Sequence, residues 1–585
     1  MIILLLTSLI MPHQEVFADS STYSSNDQSV DEFTLEKQKE IEALSQDKQS
    51  YSNNSSDTIT RLIDGINFDD ESEKAEFLLD GKVQSILFEE LGQNETVDVI
   101  IRMKKTVDYN HLLNQTLSIP EKEDKGNFVV QQLQSVANSS QANILAELES
   151  LEANNMVSNI KQLWIINGIA ATITKDALEI IAERDDVDKI THDFTIKAPD
   201  FQVDESKPRL PEWGLEKIYA PKVWGEYGLK GSGVVVGIMD TGVQGDHEAL
   251  KHNYRGRNGE HHYSWIDLSG HNYPVPTDGH GHGTHVAGSA VGGGEGEPIG
   301  VAPEAEWIAV KIFDDFGNTT ASAIHQAFEW FLAPGGDYSM APDVVNNSWG
   351  SADTYRLEFM EDVSAWVAAG IFPLFAAGNN GPGVATINSP SSYPEAFAVG
   401  AINQYDQVAS FSSRGPVYWE NEDGELIRYI KPDVMAPGDR IYSALPNGGY
   451  GLASGTSMAT PHVAGAIALL LESNSELSIP EISDLLVRTV RTEEFMGSLP
   501  NDQYGHGIIN IYDAVTEAAF AGTLKGTVKN VNGEPISAEI YLNNDEKIIK
   551  VNEDGTFDVK VREGKYKVTV HSFGYQSIVD EIEIK

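Results

Sequence analysis

A chain of 585 residues with a hydrophobic fraction of 41% is too long for one ordinary domain and apolar enough to build several cores. It contains no cysteine, which excludes disulfides, thiolate zinc sites and cysteine nucleophiles. With 88 Asp+Glu against 41 Lys+Arg the formal net charge is −47, so nucleic acid and anionic membrane are excluded as partners by repulsion. The same acidity suits a solvated secreted surface, or adaptation to high salt or alkaline medium.

The apolar run Ile2 to Met11, followed by Val16-Phe17-Ala18, predicts a secretory signal peptide over residues 1–18, cut after Ala18. No other stretch reaches the length of a membrane span, so the mature protein is expected to be secreted. Residues 19–90 are rich in Ser, Asn, Asp, Glu and Gln, which predicts a largely disordered segment. Within 91–197 the patterns run strand (Val97 to Ile101), helix (Val129 to Ala153), two strands (Ile160 to Ile166, Gly168 to Thr172), helix (capped by Thr174, to Arg184) and strand (Val187 to Ile190). That order predicts a small α+β sandwich. Residues 198–212 are polar and proline-containing, fitting an exposed, cleavable linker.

From 213 to 522 short apolar runs alternate with helical periods. The runs are Val234 to Met239, Trp307 to Ile312, Val344 to Asn347, Phe372 to Ala376 and Ala396 to Val399; helices are predicted over Ala321 to Phe331 and Leu357 to Ala368. Buried strands alternating with helices predict an α/β fold with a doubly wound, mainly parallel sheet, whose site lies at the carboxyl ends of the strands. Residues 523–585 instead alternate apolar with polar around Asn532-Gly533, Asp554-Gly555 and Glu563-Gly564 turns, an all-β sandwich.

Four runs in the α/β region carry chemistry. Asp240 closes an apolar strand, His282 opens a helix, Asn379 follows a glycine turn, and Ser457 opens a second helix. A serine hydroxyl needs a base within hydrogen-bond reach, and imidazole suits both taking and returning its proton. Asp240 would hold the His282 tautomer. Ser457 at a helix N-terminus would combine its own N–H with the Asn379 side chain as an oxyanion hole. None of this needs a cofactor.

The runs Asp240-Thr241-Gly242, His282-Gly283-Thr284-His285-Val286-Ala287-Gly288 and Gly455-Thr456-Ser457-Met458-Ala459 are signatures that resemble the subtilisin-like serine proteases over roughly residues 213 to 520. Asp343 to Gly350, Trp307 to Lys311 and Trp330 to Pro334 look most like the bacillopeptidase F branch. The resemblance implies a serine endopeptidase acting on polypeptides. It implies that Ser348-Trp349-Gly350 forms one wall of the S1 pocket, Ala377-Gly378 the other, with Asn388 near the base and a cis peptide at Ser389-Pro390. A preference for medium or large apolar P1 residues is expected. The 91–197 unit resembles the propeptide of these proteases, which implies an intramolecular inhibitor, self-processing and a monomeric product. The last 63 residues resemble carboxypeptidase regulatory-like domains through Gly526-x-Val528 and Asp554-Gly555-Thr556-Phe557. Structural calcium is common in the family but is not placed here, because Ala249 and Gly292 to Glu297 do not match the usual ligands.

Two rival readings fail on context. His280-x-His282-x-x-His285 has the spacing of a zinc hydrolase, but that motif needs an aspartate at Thr284 and leaves Asp240, Asn379 and Ser457 unused. An α/β-hydrolase would need Gly-x-Ser-x-Gly and the serine first in the chain; here Ala459 breaks the motif and the serine comes last. A catalytically dead fold would be expected to lack a triad member, and none is missing.

Overall fold

Strand Val235–Asp240 is a mostly apolar run with both faces covered, and it becomes an inner strand of a seven-stranded sheet, with four strands on one side and two on the other. The computed structural model describes residues 2–9 and 81–584, apart from 207–211, 295–297, 422–423, 520–521, 531, 543–547, 553, 562–563, 573–574 and 576. The predicted leader cleavage site and the polar segment up to residue 80 lie outside the described residues. The sheet order is Val434–Pro437, Phe397–Ile402, Phe372–Ala376, Val344–Asn347, Val235–Asp240, Glu306–Lys311, Trp265–Asp267, and every pairing is parallel. On one side of Val235–Asp240 the chain steps outward through Val344–Asn347, Phe372–Ala376, Phe397–Ile402 and Val434–Pro437, while on the other Trp265–Asp267 forms the edge and the later Glu306–Lys311 fills the place between. The crevice beyond its carboxyl end is therefore a switch point, where open α/β sheets place their ligands.

Period-two alternation decides which face each residue serves. Val236, Ile238, Trp307, Ala309, Val344, Phe372 and Leu374 pack under helices His282–Val291 and Thr456–Ser473. Met239, Ile308, Val310, Val345 and Phe375 pack under helices Ala321–Leu332 and Met360–Ala369. A Cβ at Gly237 would sit 2.7 Å from the Phe331 ring, so glycine there is what lets that helix close on the sheet.

The N-terminal unit is a four-stranded antiparallel sheet in the order Val157–Leu163, Gly168–Thr174, Thr96–Met103, Val187–His192. The Thr174 side chain caps helix Lys175–Ala182 as expected, accepting from the Ala177 N–H. Residues 81–90, expected to end the disordered segment, instead join this unit through helix Ile86–Leu91 with Leu87 and Phe88 buried, and two further boundaries differ from the sequence expectation. The long helix is Lys122–Glu152, since the polar stretch ahead of Val129 is helical too. The first hairpin strand ends at Leu163, because the chain turns over Trp164 to Asn167, where Asn167 takes φ 46°.

This unit docks on helices Ala321–Leu332 and Met360–Ala369 through one shared apolar cluster that includes Ile100, Val129, Leu133, Ile165, Phe328 and Phe331. Polar contacts ring it. Arg102 pairs with Glu358 at 3.0 Å and Glu361 at 2.6 Å, Lys122 pairs with Asp343 at 2.6 Å, and the Ile165 N–H donates to Glu329 Oε1 at 2.9 Å. Under Arg102, His325 is fully buried between Asp362 at 2.9 Å and Glu358 at 3.1 Å. Burial opposes its charge, but Asp362 and then Glu358 outweigh that and lift the imidazole to about 9. Burial pushes Glu329 up to about 8.

Both shifts leave the docked state holding more protons than the unfolded chain, so their stabilisation is complete below the ordinary pKa values and fades with rising pH. The melting temperature of an inactive Ser457→Ala chain is therefore expected to fall as pH rises through about 8 to 9. The fall should be shallower in His325→Gln. An equal slope in both chains would remove His325 from the explanation.

The C-terminal residues form two antiparallel sheets around Leu524, Val528, Ile540, Phe557, Val568 and Val570, a β-sandwich as the alternation predicts. One sheet carries Ile548–Lys550, Glu539–Leu542, Gly564–His571 and Ile578–Ile584. In the other, Gly522–Asn530 lies between Thr556–Val561 and the apolar run Ile2–Leu9. An apolar run pairs readily with an open sheet edge, and here it does so antiparallel, Ile2 opposite Asn530. Among the described residues no helix is long and apolar enough to cross a membrane.

Candidate active site

Asp240 is the last residue of strand Val235–Asp240 and His282 the first of a helix, and the fold brings them together. His282 Nδ1 lies 2.7 Å from Asp240 Oδ1, and both side chains are buried. The Thr241 N–H also donates to Asp240 Oδ1, at 2.7 Å. This bond makes Nδ1 the protonated nitrogen of a neutral imidazole and leaves Nε2 as the acceptor. Nε2 is buried and has no hydrogen-bond partner.

Ser457 is the second residue of helix Thr456–Ser473, where backbone N–H groups have no helical acceptor. Its hydroxyl donates to the Ser348 carbonyl at 3.1 Å and not to His282. The reverse contact is also made, Ser348 Oγ donating to the Ser457 carbonyl at 2.9 Å. That carbonyl is free because its helical donor would be the N–H of residue 461, which is proline. The Asn379 Oδ1 accepts from both the Thr456 N–H and hydroxyl at 2.9 Å, which turns the Asn379 amide NH₂ away from the helix end. Gly378, at φ 109°, makes the turn that delivers it.

A model of the Subtilase family matches residues 231–507. Bacillopeptidase F of Bacillus subtilis is 36% identical over 490 residues, 77% of this chain and 33% of the relative, so the chain spans about a third of that protein. Subtilisin E of Bacillus subtilis is 35% identical over 363 residues, 60% of this chain and 82% of the relative. The chain belongs to the subtilase family of serine endopeptidases. Subtilisin of Bacillus pumilus, 38% identical, is matched over 98% of its length by 52% of this subtilase.

The residues expected to line the substrate pocket of this subtilase gather at the same crevice. Ser348, Trp349 and Gly350 follow strand Val344–Asn347 directly, and Ala377 and Gly378 follow Phe372–Ala376. The Trp349 indole is buried edge-on against Phe359 and Phe375, so this residue faces the crevice with backbone more than with its ring. Asn388 lies between the two walls. A Cβ on Gly378 would be 2.5 Å from its amide carbon and one on Gly350 3.2 Å from its Cβ. Asn380 Nδ2 donates to Asn388 Oδ1 at 2.5 Å, fixing the amide orientation. The Ser389-Pro390 bond is cis.

The segment after the N-terminal unit does not run free of this site. Thr195–Lys197 pairs antiparallel with Asn318–Thr320, and Asp204 exchanges backbone bonds of 2.9 and 2.8 Å with Leu452. Between them Phe201 sets its ring edge-on 5.4 Å from that of His282, with His285 at 5.7 Å and His280 at 6.0 Å. Composition marked residues 198–212 as an exposed linker; Asp200 and Gln202 to Ser206 are exposed, but Phe201 turns in toward the histidines, and that phenylalanine was the missed signal.

The three histidines do not converge on a metal. His285 Nε2 lies against the carbonyls of Ile441 at 3.1 Å and Gly451 at 3.2 Å, and burial holds its pKa down at about 3. Among the described residues no group of three or more His, Asp or Glu is arranged to hold a metal ion, and Glu295 and Glu297 lie outside them. Sequence reasoning also passed over two buried charges beside the pair. Lys311 donates to the Thr241 carbonyl at 2.7 Å and to Asp315 at 2.9 Å, and Asp278 accepts from the turn that precedes His282. An acid four residues ahead of the histidine was the available clue.

Proposed function

We propose that the chain is the precursor of a secreted serine endopeptidase working through an acyl-enzyme. Ser457 Oγ attacks the scissile carbonyl while His282 Nε2 takes its proton, and Asp240 stabilises the imidazolium. The tetrahedral oxyanion is met by the Ser457 N–H and the Asn379 amide. His282 then protonates the leaving amine, and water repeats the sequence to free the acid and Ser457. The observation that carries this reading is the buried 2.7 Å bond from Asp240 to His282 Nδ1, with Nε2 left as a free acceptor. Rotation about χ1 is the movement that would transfer the Ser457 hydroxyl from Ser348 to His282; such bonds commonly tighten only with substrate bound.

In the same reading residues 91–197 are a propeptide that inhibits in place and is removed by the enzyme itself. Support comes from Thr195 to Asp204, which pairs with strands on both sides of the crevice and covers His282 with Phe201. The product would be a monomer without a cofactor, and calcium would serve structure only. At the P1 site, Asn388 and Asn380 offer amides and no charge, which supports a preference for uncharged P1 side chains within the expected range of medium or large apolar residues.

The test is hydrolysis of a general peptide substrate, abolished by a serine-directed acylating inhibitor, with cleavage sites profiled on a peptide library. Sequencing the N-terminus of the secreted product should place it after residue 197 for the wild type. A culture in which the peptidase activity survives full serine acylation would overturn the reading.

A further inference from the structure

Asp278 is fully buried four residues ahead of His282, and every polar neighbour it has donates to it. Its Oδ1 accepts from the Thr241 hydroxyl at 3.0 Å, the His280 N–H at 3.1 Å and the Gly281 N–H at 2.8 Å. Its Oδ2 accepts from the Thr284 N–H at 2.9 Å and the Thr284 hydroxyl at 2.6 Å. Both hydroxyl oxygens already accept from a backbone N–H, which leaves each hydroxyl proton to be donated to Asp278. Thr241 Oγ1 already accepts from the Gly283 N–H at 2.9 Å, and Thr284 Oγ1 from the Gln244 N–H at 3.0 Å. Three backbone N–H groups that can only donate, and two hydroxyls free to donate, match the acceptor-only character of a carboxylate. Burial raises its pKa, against the pull of Thr284 and Gly281.

The arrangement solves a local problem. The helix His282–Val291 is preceded by Gly281 at φ 102°, which has no side chain to cap the first turn. Asp278 caps it from outside, taking the Gly281 and Thr284 N–H groups. Through Thr241 the same carboxylate grips the residue after Asp240, whose own carbonyl is held by Lys311. One buried group thus ties the strand that carries the acid to the helix that carries the base.

We propose that Asp278 is a positioning residue that sets the His282 ring against Asp240 and toward Ser457, through the Thr241 hydroxyl and the first turn of the histidine helix. This rests on the protease reading for its kinetic consequence but not for its geometry. Asn at 278 has nearly the same shape, yet it must turn an NH₂ toward donors on one side. The expected result is a loosened His282, and a misplacement of about 1 Å at such a site costs about 10²-fold in rate.

Two measurements test it. In the full-length Ser457→Ala chain, which cannot digest itself, the far-downfield proton resonance of the His282 Nδ1–H should move or broaden when Asp278→Asn is added. Far-ultraviolet circular dichroism should stay the same. In the active chain Asp278→Asn should lower kcat about 10- to 100-fold per titrated site with KM within about twofold. If Asp278→Asn does not fold, Thr284 decides. Thr284→Ser keeps the donor to Oδ2 and should retain about tenfold more kcat than Thr284→Val. An unmoved resonance together with unchanged kcat, or equal kcat in the two Thr284 variants, would overturn the proposal. A wild type without peptidase activity whose resonance still moves with Asp278→Asn would reject the protease reading and leave the positioning role standing.

Discussion

Ser457→Ala is expected to lower kcat on a peptide substrate by about 10⁶-fold, about 8 kcal/mol of barrier, a magnitude measured on subtilisin itself. The alanine removes the hydroxyl proposed as acyl acceptor, while leaving the Asn379 amide and the Ser457 N–H position intact. A residual rate about 10³-fold above water should therefore persist from the oxyanion site and substrate binding. The loss should fall on kcat with KM almost unchanged, because the ground state hardly uses Oγ, which rests on the Ser348 carbonyl. The same variant should accumulate with its N-terminal segment uncut. Steady-state kinetics and N-terminal sequencing read the two results. Wild-type turnover in Ser457→Ala would remove the nucleophile, and equal processing of both chains would remove self-cleavage.

The second large effect is expected at Asn379. Its Oδ1 is committed to the Thr456 N–H and hydroxyl, so only its NH₂ is free for an oxyanion. Asn379→Ala should lower kcat by about 10²- to 10³-fold, the range known for the corresponding loss in subtilisin, with KM changed far less. The interaction forms with the charge on the tetrahedral oxygen and is weak before it. The variant also leaves the Thr456 N–H unpaired at the helix start, which should cost about 1 kcal/mol of stability, seen as a small drop in melting temperature. A fall in kcat/KM carried entirely by KM would place Asn379 in substrate binding instead.

Much of the site was legible because its residues sit at points where the chain changes direction. An acid after five apolar residues, a histidine after Gly281 and a serine after Gly455 are each at the end of a strand or the start of a helix. A parallel sheet brings such ends to one edge. The Thr174 cap and the β alternation after residue 522 were equally local signals, whereas the cis Ser389-Pro390 bond was expected from the family resemblance. What local signals could not carry was the state of the serine. Whether Oγ meets His282 or Ser348 depends on a carbonyl 109 residues away and on the missing N–H of Pro461. The same holds for Trp349: its place in a wall motif did not say how its ring packs, and the structure buries it edge-on against Phe359 and Phe375.

By itself the sequence determined the reaction class, the four residues that would run it, the parallel α/β architecture and the β-sandwich that follows. These depend on residue type, period and order, which a chain displays without folding. Only the tertiary structure decided three other matters. It laid Phe201 edge-on to His282, set His325 between two carboxylates under Arg102, and aimed five donors at Asp278. Each joins residues from separate elements, and the free energy of a buried charge or an enclosed ring depends on neighbours that only folding supplies.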